Sequence, residues 1–238
     1  MSTTTVARFD PAHLDDVPAP AHRWLARAIA PGTPLHRRVE LTMEGEIRLG
    51  DRWQPFHAHQ THVPGERFRW SATAGRFPAR INGFDRYEYG VGEMRWKLYG
   101  VIPVLTATGP DVTRSAAGRL AGESLLLPTA MVGAPWVTWR SVDDEQAVAE
   151  VRIGSETIPV TVHVAPDGRL LRCHQSRWGQ VDGKPYGMRT FGVTFDGEWT
   201  RHGVSLARRI TAGWGWTGDG WEDGPFFRAE LLDAAFPS

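Results

Sequence analysis

The sequence predicts a mainly β protein in which one antiparallel sheet curves or closes into a half-barrel or barrel, with an N-terminal helix and a central helix packed against it. Three observations support this fold. Many stretches alternate apolar and polar residues, as strands with one buried face do. Short connections rich in Gly, Asp and Pro separate them, which is typical of antiparallel hairpins. Two segments instead show helical spacing, residues 18–30 and 115–127.

The first helix is predicted over residues 18–30. Proline is tolerated in the first turn of a helix, and Pro31 prevents the helix from continuing. One apolar stripe follows the helical period and should face the sheet. It consists of Trp24, Leu25, Ala28 and Ile29.

Alternating strands are predicted on both sides of the central helix, beginning with Val39 to Leu49, where the pattern is clearest. Gly50-Asp51 and Asp167-Gly168 are typical turn dipeptides between such runs. The strands predicted before the helix cover residues 39–49, 53–63, 68–74, 81–89 and 94–99. Those predicted after it cover residues 147–153, 158–164, 170–178, 188–195, 204–210 and 226–232. No repeat or linker divides the chain, so one domain is expected over residues 1–238.

The central helix is predicted from Ser115, a plausible N-cap, to Leu127, because Pro128 forbids continuation. Arg119 and Glu123 are four residues apart and therefore share one face of it. They form either a structural ion pair or, if buried beside a pocket, a pair that orients a ligand or exchanges protons with it. Burial predicts that Glu123→Ala costs ~3–5 kcal/mol.

Composition narrows the choice of partners. The 27 basic and 27 acidic residues cancel, which argues against nucleic acid as a partner. The single cysteine, Cys173, is expected to be a buried structural thiol. The amino terminus lacks the apolar core of a signal peptide and no run is long enough to span a membrane, so a cytoplasmic location is expected. The protein is expected to be a monomer or a homodimer.

Signatures of common cofactor and metal sites are absent from the sequence. It contains no phosphate loop, dinucleotide fingerprint or Gly-x-Ser-x-Gly elbow, so no cofactor is expected. His57 and His59 share a strand face and could chelate zinc, whereas His62 points to the opposite face. The apolar neighbours of His57 and His59 indicate that their face is the wet one, and no metal site is expected.

Five segments of the chain resemble an uncharacterised bacterial family of unknown function. They are PAPAHRWL (18–25), GEIRLGDRWQPFHAHQ (45–60), GEMRWKLYGVIPV (92–104), RLAGESLLLPTA (119–130) and DGRLL (167–171). The layout of strands with a helix in the middle is also similar, as a fold, to the LolA and LppX lipoprotein carriers. That resemblance implies a curved half-barrel that holds acyl chains. Arg119 and Glu123 match the Arg and Glu of the family at the same spacing.

The 11 tryptophans suggest an aromatic lining. The residues expected to contact a bulky hydrophobic ligand are Trp70, Tyr89, Met94, Trp96, Met131, Trp136 and Trp178. The loop 213–221, rich in Gly and Trp, is expected to be a flexible rim or lid.

Two functions follow from such a pocket. The first is a cofactor-independent cyclase or isomerase with Glu123, Arg119 and Gln60 as its catalytic groups, which would act by holding a flexible apolar substrate in place. The alternative is a carrier or sensor of lipid-like molecules, and a filled interior would indicate a purely structural domain.

Overall fold

The computed structural model describes residues 7–181 and 183–237. Within them, thirteen strands form one antiparallel sheet. The strands are β1 (Val39–Leu49), β2 (Arg52–Val63), β3 (Arg67–Ala74), β4 (Ile81–Glu88), β5 (Val91–Leu98), β6 (Ile102–Ala107), β7 (Val137–Ser141), β8 (Gln146–Ile153), β9 (Glu156–Val164), β10 (Leu170–Gly179), β11 (Gly187–Arg201), β12 (Val204–Trp214) and β13 (Phe227–Ala235). The predicted domain limits, 1–238, extend beyond the described residues at both ends, and part of the segment assessed for a signal peptide lies outside them.

Two α-helices accompany the sheet, α1 (Ala19–Ala28) and α2 (Pro110–Glu123). Short 3-10 turns cover Pro11–Leu14, Ser124–Leu126 and Pro128–Met131. No helix among the described residues is long and apolar enough to cross a membrane.

The sheet consists of two meanders that meet in its middle. Its order is β6-β5-β4-β3-β2-β1-β13-β12-β11-β10-β9-β8-β7. We call strands β1–β6 the first arm and strands β7–β13 the second arm; the pairing of β1 with β13 joins them. The sheet curls into an open half-barrel, and α2 packs against β4 and β5 of the first arm and against β8, β9 and β10 of the second. The predicted fold class is confirmed, with an open rather than a closed barrel.

Strand β1 shows why the alternating pattern predicts the sheet. Val39, Leu41 and Met43 are buried on the concave side, whereas the residues between them are less buried or exposed. Further along, a Cβ on Gly45 would overlap the backbone carbonyl of Arg228 in β13. Glycine at this position therefore lets the two arms approach closely.

The central helix differs from its prediction at both ends. It begins at Pro110, before Ser115, because Gly109 has a φ of 108° and Pro110 is suited to the first turn. It ends at Glu123, after which the chain tightens into two 3-10 turns, one before Leu127 and one that begins at Pro128. The first helix is also shorter than predicted.

The sequence reasoning missed the two edge strands, β6 and β7. Every residue of β6 except the last is exposed, and the strand contains Pro103. Proline is accepted at a sheet edge because its missing N–H does not interrupt a second ladder. Strand β7 has only five residues, with one buried, so neither strand shows the alternation of a half-buried strand.

Candidate ligand cavity

A cavity of about 460 Å³ lies between α2 and the concave face of the sheet. Both arms supply its walls, and most of the lining is apolar. Its size is within the usual range of small-molecule pockets. Six of the apolar residues that line it are Met43, Ile47, Trp70, Phe191, Phe195 and Phe227.

Aromatic rings pack together along one wall. Trp70 packs edge-on against Phe56, with ring centroids 5.6 Å apart, and lies 5.7 Å from Trp96. Phe227, across the junction of the arms, stacks on Phe56 at 5.2 Å. Aromatic pairs in these geometries are favourable, so they stabilise this side of the cavity.

A charged network occupies the first-arm side of the cavity. Arg119 donates from Nε to Glu123 Oε1 at 2.6 Å and from Nη1 to Asp85 Oδ2 at 3.0 Å. The second Glu123 oxygen accepts from Gln60 Nε2 at 2.7 Å, and the second Asp85 oxygen accepts from Trp96 Nε1 at 2.9 Å. Each of the four carboxylate oxygens therefore accepts a hydrogen bond from a neighbouring side chain.

Burial and charge oppose each other in this network. Burial raises the pKa of Asp85, although Arg119 and the Trp96 N–H act in the opposite direction. Burial alone would lower the pKa of Arg119, but Glu123 and Asp85 outweigh it and the net change is upward. Arg119 thus stays charged, and its guanidinium also lies 4.7 Å from the Phe68 ring centroid.

A second arginine reaches the cavity from the second arm. Arg177 of β10 lines the cavity and donates from Nε to the Ser115 carbonyl at 3.2 Å. Its guanidinium lies over the rings of Phe191 and Trp214, at 4.8 and 5.1 Å. On the same strand, Gln175 donates to the Gly118 carbonyl at 2.8 Å. Both side chains anchor α2 to the second arm.

His62 is fully buried on the concave side of β2, two residues from Gln60. Among the described residues neither of its ring nitrogens has a hydrogen-bond partner. Burial lowers its pKa to about 4, against the opposing effect of Glu123. His62 is therefore neutral at physiological pH.

Comparison with known proteins places the chain in a family. The sequence profile of the family of unknown function DUF6544 matches residues 7–228. The chain belongs to this family. No curated protein matches it.

Solved structures show a distant likeness to the DUF6544 chain. A LolA superfamily protein from Nitrosomonas europaea is 10% identical over 92% of each chain, with a TM-score of 0.47. A DUF1329 family protein from Desulfovibrio piger is 13% identical over 96% of this chain and 94% of its own, also with a TM-score of 0.47. The resemblance stated from the sequence to a family of unknown function is confirmed.

The structure brings five of the ten predicted site residues of the DUF6544 chain to the cavity wall. They are Gln60, Trp70, Met94, Arg119 and Glu123. Trp96 lies behind this wall, where it packs on Trp70 and donates to Asp85. Trp96 therefore supports the charged network and does not line the cavity as expected.

The remaining four predicted residues lie elsewhere. Tyr89 is 91% exposed, since the chain reverses at Tyr89 and Gly90 and the residue belongs to a turn instead of a strand. Met131 is buried in the core, and Trp136 lies against Gly65 in the turn between β2 and β3.

Trp178, the last of these four, donates its indole N–H to Asp111 Oδ1 at 2.9 Å and lies under the guanidinium of Arg114. It therefore stabilises the first turns of α2 from outside the cavity lining.

Sequence reasoning missed two charged residues of the wall, Asp85 and Arg177. Strand alternation was the signal that could have found them. Asp85 lies on the same strand face as the buried Tyr87. Arg177 lies on the same face of its strand as the buried Cys173 and Gln175. The reasoning favoured aromatic residues instead and selected Trp178, one position away.

The structure also locates the candidate histidines, the cysteine and the Gly-rich loop. His57 and His59 are exposed, which confirms that their face of β2 is wet, and Cys173 is buried as expected. Within the described part of the chain, no group of three or more His, Cys, Asp or Glu side chains could hold a metal ion. In the Gly-rich loop, Trp216 is buried, and Trp221 donates to the Gly192 carbonyl at 3.1 Å. These contacts hold the loop against the sheet. Trp214, at the start of the same stretch, lines the cavity, and the expected flexibility of the loop stays a prediction.

Proposed function

We propose that this protein binds an elongated apolar small molecule in the cavity under α2. One observation carries the proposal: a cavity of about 460 Å³ persists in the concave face of the half-barrel, although α2 and strands of both arms pack around it. Protein interiors are normally filled to crystal-like density, so a space of this size with apolar walls supports a ligand site.

The polar groups of the wall are compatible with an apolar ligand. Arg119, Asp85 and Glu123 satisfy one another, so they present few unmade hydrogen bonds to an apolar guest. An alkyl chain buried here gains ~0.8 kcal/mol per methylene group. About ten methylenes thus contribute ~8 kcal/mol, which exceeds the lower estimates of the cost of association.

A homologous series of n-alkanols tests the proposal, with tryptophan emission as the signal because Trp70 and Trp214 line the cavity. Each added methylene should tighten binding ~4-fold until the cavity is full. Val193→Trp, which places a large ring in the cavity wall, should abolish binding. Thr190→Trp, on an exposed position of the same strand β11, is the matched control and should bind normally.

The proposal fails if the alkanols do not bind or if affinity is independent of chain length. It fails equally if Val193→Trp binds as tightly as Thr190→Trp, because the ligand would then lie outside the cavity.

A second candidate function is a cofactor-independent isomerase or cyclase acting on an apolar substrate. The observation that favours it is Asp85, a cavity-wall carboxyl whose pKa burial raises, in a fixed network with Arg119 and Glu123. A carboxylate in such a setting can take up a proton from a substrate and return it to another carbon at the end of a rearrangement.

Chromatography of the bound ligand separates the two functions. A carrier returns a polyene unchanged, whereas an isomerase releases a product of identical mass without added cofactor. Asp85→Asn should then prevent product formation while retaining polyene binding. Unchanged ligand with the wild-type protein would reject catalysis on that substrate and leave binding as the function.

A further inference from the structure

Arg177 is the charged residue of the cavity that lacks a charged partner. Among residues 7–181 and 183–237 it forms no ion pair, and its one side-chain hydrogen bond runs from Nε to the Ser115 carbonyl at 3.2 Å. Neither terminal nitrogen of the guanidinium has a hydrogen-bond partner in this part of the chain. These are the two nitrogens that bind a carboxylate end-on.

The protein's own carboxylates are already engaged. Both oxygens of Asp85 and both oxygens of Glu123 accept hydrogen bonds from Arg119, Trp96 or Gln60. They influence Arg177 only through space. The positive charge of Arg119, in the same cavity, acts in the unfavourable direction. Burial lowers the pKa of Arg177 to about 10, which leaves it protonated at neutral pH.

The position of the guanidinium is fixed before any ligand arrives. It is held over the rings of Phe191 and Trp214 while Nε is tied to α2. The helix allows this approach at Gly118, where a Cβ would lie only 2.8 Å from Arg177 Cγ. A cation held in one orientation loses little freedom when an anion binds to it.

We propose that Arg177 binds the carboxylate of an apolar ligand, so that the cavity selects long-chain carboxylic acids over neutral molecules of the same length. This inference rests on the proposed function, since it assigns the head group of the molecule that fills the cavity. The unpaired guanidinium in a mostly apolar lining carries it. A monoanion suits a single unpaired cation, and the apolar lining accommodates the hydrocarbon tail.

The test compares dodecanoate, dodecanol and dodecyl phosphate, each titrated below its micelle concentration at pH 7.5. Wild-type protein should bind dodecanoate at least ~10-fold more tightly than dodecanol, as a hydrogen bond to a charged group allows. Arg177→Gln should remove that preference, so that its affinities for dodecanoate and dodecanol agree within ~2-fold. Arg114→Gln is the matched control, because Arg114 faces Glu156 outside the cavity lining, and it should retain the preference.

The possible outcomes distinguish this inference from the proposed function. If neither dodecanol nor dodecanoate binds, the proposed function fails and the inference fails with it. If dodecanol binds but dodecanoate binds no better, the cavity function stands and the role of Arg177 is overturned. Tighter binding of dodecyl phosphate than of dodecanoate would also overturn the carboxylate assignment.

A second measurement does not depend on the folding of Arg177→Gln. Dodecanoate labelled with ¹³C at its carboxyl is titrated by NMR while bound to wild-type protein. A guanidinium contact should hold the carboxyl pKa below the value in free dodecanoate. A bound carboxyl with a raised pKa would place it in apolar surroundings away from Arg177 and refute the inference.

Discussion

Arg119 is held by two carboxylates, so the loss of one should be tolerated much better than the loss of both. Glu123→Gln removes one charge but keeps an acceptor for Arg119, and Gln60 can turn its amide to accept from the new side chain. Asp85→Asn likewise keeps one acceptor, although its amide nitrogen then faces a donor, either Trp96 or Arg119. In each single variant Arg119 retains one anionic partner.

The expected magnitudes follow from this arrangement. Each single substitution weakens one charge-assisted hydrogen bond and should cost ~1–2 kcal/mol of unfolding free energy. The double variant leaves a half-buried guanidinium, 17% exposed, without a counter-ion in contact. Stranding a buried charge costs ~3–5 kcal/mol, so the double variant should lose at least ~1 kcal/mol more than the sum of the singles. The sequence predicts ~3–5 kcal/mol for a different substitution, Glu123→Ala, on the basis of a single counter-ion; the second counter-ion, Asp85, lowers that expectation.

Urea denaturation of the four proteins in this cycle measures the coupling, with tryptophan emission and circular dichroism as independent probes. Adding Arg119→Met to the double variant should recover part of the loss, because it removes the stranded charge. Additivity within ~0.5 kcal/mol would refute the reasoning and indicate that each carboxylate acts alone.

Three further predictions concern neighbouring groups. Trp96→Phe leaves Asp85 Oδ1 without its donor and should lower the unfolding free energy by ~1–3 kcal/mol in urea denaturation, with little change in alkanol affinity. A larger effect on affinity than on stability would show that Trp96 contacts the ligand directly. The pKa of His62 is about 4 in the folded protein and ~6.5 in the unfolded chain. Neutral His62 therefore contributes fully to the unfolding free energy above pH ~6.5, and ~3 kcal/mol of that free energy is lost as the pH falls to 4. In urea denaturation, the unfolding free energy of His62→Met should fall by ~3 kcal/mol less than that of the wild type between pH 6.5 and 4. An equal fall in both proteins would contradict the lowered pKa of His62. Gly118→Ala should displace Arg177 and so weaken dodecanoate binding but not dodecanol binding. Equal losses of affinity for both ligands in calorimetry would show that Gly118 does not act through Arg177.

Strand alternation predicted most of the sheet because one buried face imposes a period of two on the sequence. It failed at β6 and β7, where the edge position removes that constraint and most side chains are exposed. The pairing of β1 with β13 could not be foreseen either. It brings Glu40 beside Ala235, and no local pattern in either strand specifies a partner so distant in the chain.

The candidate site was predicted where a helix face determines proximity and missed where two elements must come together. Arg119 and Glu123 follow directly from their spacing of four residues. Asp85 joins them from β4, and Arg177 approaches from β10, so their roles depend on how α2 crosses the sheet. The prediction favoured large aromatic residues, yet Tyr89 is exposed in a turn, Trp136 packs against a turn and Trp178 packs against the outer part of α2.

The meeting of the chain's first and last strands in the middle of the sheet has a consequence for the order of folding. Within each arm, every strand pairs with its neighbour in sequence, so both meanders can form through short loops. The β1·β13 ladder, in contrast, cannot form until β13 has left the ribosome, after all the strands between them. Because α2 requires surfaces from both arms, the cavity should be among the last parts to assemble, and a nascent chain that ends before β13 should be unable to retain a ligand.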